Sequence, residues 1–191
     1  MDPMTSDNAP DPKAQFRAAA RAARREITPL ARAAAQTRLW ALLRGVEGQC
    51  IAGYLPLPDE LDPTCAMRAW AFRNTVCVPV VTAKGAPLRF RQWWPGCSLV
   101  EGAFGVREPQ EGGWRVPDVV VVPLLAFDAG CGRLGYGGGF YDRTLAGLRE
   151  ARTVGLGAEA LRVRQVPRER WDVDLDAVVT EAGVHLRAYR D

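Results

Sequence analysis

In the segment GRLGYGGGFYDR, residues 132–143, the basic side chain of Arg133 opens a glycine-rich run and the acidic one of Asp142 closes it. Gly135, Gly137, Gly138 and Gly139 withdraw side chains from one stretch of backbone, so successive N–H groups can form a concave nest for anionic oxygens. A helix is expected to start near Phe140, and its N-terminal end would add positive potential at the same place. Arg133 can neutralise phosphate charge from the entry side. Asp142 would repel such an anion unless it carries a cation, and Mg²⁺ characteristically takes one or two carboxylates together with phosphate oxygens. A nucleotide phosphate chain with its metal reconciles these residues. A glycine-rich turn followed by a favourable helix-start acid accounts for them without a ligand. The spacing names no enzyme either. The G-K-[ST] ending of a P-loop is missing, as is an acidic residue at dinucleotide-fold spacing.

Something rigid must hold this segment, and the run DVVVVPLLAF directly before it reads as a buried strand over residues 118–127. Parallel sheets bind ligands at the carboxyl ends of their strands, which is where these glycines fall. Upstream, Phe16, Ala20, Ala23 and Ile27 recur at helical spacing from Pro12 onward, with Lys13, Arg17, Arg21 and Arg24 on another face. Thr28-Pro29 restarts a helix as N-cap and first-turn proline, running to Gly45. CIAGYLPL reads as a strand, PDELDP as a turn and TCAMRAWAF as a helix. TVCVPVV and LRFRQWW read as strands joined by the turn TAKGAP. Residues 95–118 lack periodicity, are rich in Gly and Pro, and read as one long loop. A helix near 140–150, the strand RTVGLG and two short strands in DLDAVVTEAGVHLR complete the chain. The expected fold is α/β: a single-domain three-layer α/β/α arrangement around a central, mostly parallel sheet over residues 12–191. Residues 1–11, polar and proline-rich, are expected to be a disordered leader.

The whole-chain properties exclude several classes. The 25 Lys and Arg exceed the 22 Asp and Glu by only three, so no bulk electrostatic footprint for nucleic acid exists. The five cysteines are scattered and never in a C-x-x-C pair, which argues against a disulfide framework and a structural zinc site. No secretory signal and no apolar stretch of membrane-spanning length is visible, so no membrane partner and a cytoplasmic location are expected. A triad or multi-histidine metal site would have to be built on the one histidine, His185.

The segment VVVVPLLAFDAGCGRLGYGGGFYDR, with KAQFR near the start, YLPLPDELDP and LVEGAFGVREP in the same order, resembles the 5-formyltetrahydrofolate cyclo-ligase family over nearly the whole chain, from about Lys13 to Val179. The resemblance implies an ATP- and Mg²⁺-dependent enzyme that closes 5-formyltetrahydrofolate to 5,10-methenyltetrahydrofolate and releases ADP and phosphate. A formyl amide is a poor electrophile. Phosphoryl transfer to its oxygen creates a leaving group, and the neighbouring N10 amine then closes the ring. Such transfer asks a protein mainly for positioning and charge stabilisation.

Carried onto this chain, the resemblance implies ATP binding by Lys13, Arg17, Arg133, Leu134, Gly135, Tyr136, Gly137, Gly138, Gly139, Phe140 and Tyr141. It implies a metal held by Asp142 and Asp176, with Asp172 and Asp174 as neighbours into which the register could slip. It implies folate contacts from Leu55 and Glu60, an ionised carboxylate being a suitable acceptor for the pterin donors. Tyr54 and Trp114 could stack on the ring system or serve the core. Arg21 and Arg24 are read as a solvated basic stripe. Many members of the family carry Lys where this chain has Gly138, which would leave Lys13, Arg17 and Arg133 to do more. A small-molecule partner and a monomeric state are expected. The alternatives are a non-catalytic relative that binds nucleotide or folate and a dinucleotide-dependent oxidoreductase.

Overall fold

The computed structural model describes residues 12–188; the expected leader, residues 1–11, lies outside the described residues. Helix α1, Pro12–Arg25, is followed by α2, Pro29–Leu43, whose N-cap Thr28 accepts a hydrogen bond from the Ala31 N–H at 3.2 Å. Ala35, Leu39 and Leu43 recur every four residues on α2 and are fully buried, which seats that helix on the sheet. The arginine of α2 nearest its start, Arg32, donates to the Arg24 and Ile27 carbonyls at the frayed end of α1. It thereby satisfies acceptors that a helix terminus leaves open.

Strand β1, Cys50–Ala52, leads through a polar turn to α3, Thr64–Trp70, and then to β2, Thr75–Val80, which pairs parallel to β1. Strand β3, Arg89–Trp93, returns antiparallel on β2. Farther along, β7, Val119–Pro123, pairs parallel with β1. After it, α4, Phe140–Gly147, crosses to β10, Arg152–Leu156, also parallel to β7. Strand β11, Ala177–Val179, extends the parallel set, and β12, Val184–Leu186, closes that edge antiparallel.

The eight-stranded sheet has the order β12-β11-β10-β7-β1-β2-β3-β6, where β6 is Trp114–Arg115. Five parallel strands form its centre. The crossover from β1 to β2 steps one way along the sheet and that from β7 to β10 steps the other. Because such crossovers are right-handed, α3 and α4 cover opposite faces, and α2 packs with α3. The strand order therefore reverses between β1 and β7, and a crevice must open outside their carboxyl ends. Val119, Val120, Val121 and Val122 are all buried there, covered from both sides as a central parallel strand requires.

Two expectations are corrected. The segment read as one long loop contains a hairpin, β4, Leu99–Glu101, with β5, Arg107–Pro109, joined by a short turn at Ala103–Gly105, and then β6. Strands of two or three residues are too short to display a period of two, and glycines at 102 and 105 mask them in sequence. The buried strand expected over 118–127 is interrupted: β7 stops at Pro123, and β8, Ala126–Phe127, belongs to a separate small hairpin with β9, Arg133–Leu134. The break at Leu124 and Leu125 turns the chain toward the crevice and exposes the Leu124 carbonyl to a side chain from α1.

Candidate active site

At the reversal point lies a cavity of about 860 Å³. The β1 exit supplies Tyr54, Leu55, Leu57 and Glu60, and the β7–α4 connection with the first turn of α4 supplies Arg133 through Arg143. The start of α1 contributes Lys13 and Arg17, the β4–β5 hairpin contributes Phe104 and Glu108, and the segment before β11 contributes Glu169, Trp171 and Asp172. Residues scattered over the chain are thus brought together because consecutive parallel strands end on the same side.

The glycine segment leaves its backbone donors open at the cavity wall. Among the described residues, no backbone hydrogen bond is donated by an N–H of residues 135–139. Gly137 has φ +101° and Gly139 φ +62°, and a Cβ on Gly137 would lie 3.2 Å from the Arg17 guanidinium. Gly137→Ala is therefore expected to cost about 1–3 kcal/mol of stability in urea unfolding. A variant as stable as wild type would show that the loop does not need that conformation. At Gly138 a Cβ would meet the Phe140 ring at 2.8 Å. That ring tilts against Phe104 at 5.7 Å, so in this chain an aromatic pair occupies the space that a side chain at 138 would need.

The cations of the site are held by partners. Arg133, almost completely buried, donates to Asp142 Oδ1 at 2.8 Å and lies over the Tyr141 ring, while its Nε finds no acceptor. Arg17 donates to the Gly135 carbonyl at 3.1 Å, which ties α1 to the glycine segment. Lys13 Nζ is 2.8 Å from both Glu169 and Asp172. Burial alone would lower the Lys13 pKa, but those two carboxylates outweigh it and hold the ammonium above its ordinary value.

The acids sort themselves by position. Asp142 Oδ1 also accepts from the Val173 N–H at 3.2 Å, which places Asp172 beside it at the cavity wall. Asp176 is not brought there: it opens β11, accepts from the Thr153 N–H and hydroxyl at 2.8 and 2.9 Å, and faces Arg187. Asp174 pairs with Arg168. Of Asp172, Asp174 and Asp176, the one at the cavity is therefore Asp172, four residues earlier than the expected one, because the chain has turned away from the crevice by the time β11 begins. No group of three or more metal-ligating side chains gathers among the described residues. Two carboxylates completed by phosphate oxygens would fit a small hard cation such as Mg²⁺. The free N–H groups and the unpartnered Arg133 Nε would fit polyphosphate.

Glu60 is 8% exposed, and its carboxylate accepts from the Leu57 N–H at 2.9 Å. Burial raises its pKa above the ordinary carboxylate value, against the Leu57 N–H, the Tyr136 hydroxyl and Arg24. Leu55 lines the cavity beside it. Tyr54 also lines the cavity with its hydroxyl fixed on the Leu61 carbonyl at 2.7 Å, whereas Trp114 stands on the sheet edge, with Arg89 and Arg91 over its ring at 4.0 and 4.5 Å. Arg24 corrects the reading of a solvated basic stripe. It is 2% exposed, with Nη1 on the Tyr136 hydroxyl and Nη2 on the Leu124 carbonyl at 2.6 Å. Its spacing carried the signal, since positions 20, 24 and 27 form one helical stripe and all three are buried.

The 5-formyltetrahydrofolate cyclo-ligase family model matches residues 10–181. A curated relative named 5-formyltetrahydrofolate cyclo-ligase from Escherichia coli (strain K12) is 35% identical over 159 residues, covering 78% of this chain and 87% of the relative. One of the same name from Mycolicibacterium smegmatis is 31% identical over 190 residues, covering 90% and 94%. The solution structure of a 5,10-methenyltetrahydrofolate synthetase from Aquifex aeolicus superposes with a TM-score of 0.77 at 27% identity, covering 94% of this chain and 95% of that one.

Proposed function

The chain belongs to the 5-formyltetrahydrofolate cyclo-ligase family and is a ligase, and from that premise we propose that it converts 5-formyltetrahydrofolate to 5,10-methenyltetrahydrofolate with ATP and Mg²⁺, releasing ADP and phosphate. The observation that carries this reading is the placing of Glu60 and the glycine segment on one cavity, so that a folate ring and a polyphosphate can meet. ATP bound there supplies the phosphoryl group that makes the formyl oxygen a leaving group. Lys13, Arg17 and Arg133 hold the phosphates, and Asp142 with Asp172 holds the metal. The backbone N–H groups of 135–139 fix the phosphate chain in register with the formyl oxygen, which is most of what phosphoryl transfer needs from a protein.

The test is an absorbance assay for the methenyl product with 5-formyltetrahydrofolate, ATP and Mg²⁺. Product is expected only when all three are present, and its absence with all three would refute the reading. If Glu60 pairs with the pterin, Glu60→Gln is expected to weaken folate binding by about 1.5–3 kcal/mol and leave ATP binding unchanged in calorimetry. Equal losses for both ligands would move Glu60 out of the folate site.

A further inference from the structure

We propose that Trp171 is a nucleotide-binding residue: its indole is the platform on which the purine base of ATP stacks. The proposal rests on ATP as the nucleotide of the reaction above. Trp171 is 57% exposed and lines the cavity, alone among the six tryptophans. A single exposed apolar ring is ordinary on an open surface. One held open on the wall of a ligand cavity is placed to meet the ligand. The other cavity aromatics are engaged. Tyr54 is buried, Phe104 and Phe140 tilt against each other at 5.7 Å, Arg133 lies over Tyr141, and Arg21 and Arg24 lie over Tyr136. Among the described residues, the ring neighbour of Trp171 is Arg170, 5.6 Å from the centroid, which covers one face and leaves the other to a planar ligand.

The place of the ring selects the ligand. Trp171 stands in the turn over residues 169–172, where the Glu169 N–H donates to the Asp172 carboxylate at 2.8 Å and the Asp172 N–H to the Glu169 carbonyl at 3.1 Å. Both acids hold Lys13 Nζ at 2.8 Å, and the next N–H, that of Val173, donates to Asp142. The turn is thus tied to the cation and carboxylates assigned to phosphate and metal, whereas Leu55 and Glu60, assigned to folate, come from the β1 exit. The base of ATP is joined to its phosphates through one ribose, so it must rest within a nucleoside's length of them. The Cα atoms of Trp171 and Asp172 are about 3.8 Å apart, which keeps the indole inside that reach. The turn is closed by its own hydrogen bonds and pinned by Lys13, so the ring is ordered before the base arrives and little freedom is lost on stacking. Stacking reads the face of a base, not its edge. The platform therefore adds affinity for a purine without choosing between adenine and guanine.

The test measures binding of ATP, GTP and inorganic tripolyphosphate, each with Mg²⁺, by calorimetry on the full chain as wild type, Trp171→Ala and Trp171→Phe. Tripolyphosphate has the phosphate chain and no base. Trp171→Ala is expected to weaken ATP and GTP alike by about fivefold to a hundredfold and to leave tripolyphosphate unchanged. Trp171→Phe keeps an aromatic face and should recover most of that loss. In wild type, ATP but not tripolyphosphate should quench tryptophan emission, and the quench should be missing in Trp171→Phe; this reading carries the test if Trp171→Ala does not fold. Equal losses for ATP and tripolyphosphate in Trp171→Ala would show that the residue acts only through its turn and Lys13, and would overturn the proposal. A loss for 5-formyltetrahydrofolate with ATP affinity unchanged would assign the ring to the folate and overturn it equally. Wild type that binds neither ATP nor tripolyphosphate would refute the ATP reading and the platform with it, whereas binding of both with ATP unmoved in Trp171→Ala removes the platform alone.

Discussion

Turnover in Asp142→Asn is expected to fall by about a hundredfold to a thousandfold, with the circular dichroism spectrum unchanged. Asparagine keeps an oxygen for the Val173 N–H and the Arg133 guanidinium, so local geometry survives while the negative charge is lost. Arg133 also loses its counter-ion, so it is the Mg²⁺ dependence of the remaining rate, rather than the loss itself, that reports the cation the carboxylate would hold beside the phosphates. Raising Mg²⁺ should recover part of the rate by mass action. Wild-type-like turnover at limiting Mg²⁺ would remove Asp142 from the metal site. The same substitution at Asp176 should leave the Mg²⁺ dependence as it is, because that carboxylate is engaged at the start of β11.

Arg133→Met is expected to be the most destabilising substitution in the site. The Arg133 side chain is 4% exposed and that of Asp142 16%, and removing one partner of such a pair leaves an uncompensated charge in a poorly solvated place. Losses of about 3–5 kcal/mol accompany that kind of deletion. The double variant Arg133→Met with Asp142→Asn should regain most of the stability in urea unfolding, since neither charge then remains, yet it should be inactive. A double variant no more stable than Arg133→Met would locate the cost elsewhere, in the packing of the arginine stem against Tyr141. Stability and turnover thus separate along this pair, which distinguishes a structural ion pair from one kept for its ligands.

Much of this was legible locally. The valine run, the N-cap at Thr28 and the glycine segment are encoded in a few neighbouring residues each, and the mostly parallel sheet, though not its strand order, follows from the alternation of strands and helices. What escaped the sequence depends on distant partners. Arg24 carries a charge, and nothing within ten residues shows that Leu124 and Tyr136 await it. Asp172 and Asp176 stand four apart in an acid-rich stretch, and only the path of the chain into β11 decides which one reaches the cavity. The hairpin at 99–109 pairs strands of three residues, below the length at which alternation can be seen.

Helix α1 also bears on how the chain reaches its final state. It leaves the ribosome before the sheet does, but the side-chain bonds that dock it reach residues 100 to 159 positions later: Leu124, Tyr136, Gly135, Glu169 and Asp172. Nearly the whole polypeptide must be synthesised before Lys13 and Arg24 can be satisfied, and contacts of such high sequence separation are slow to form. The sheet can assemble while α1 is still undocked. Docking then joins the amino-terminal segment to the glycine loop in one late event. In refolding, stopped-flow tryptophan fluorescence should report sheet formation before ATP-binding competence returns, with the interval shortened by nothing that stabilises the sheet alone.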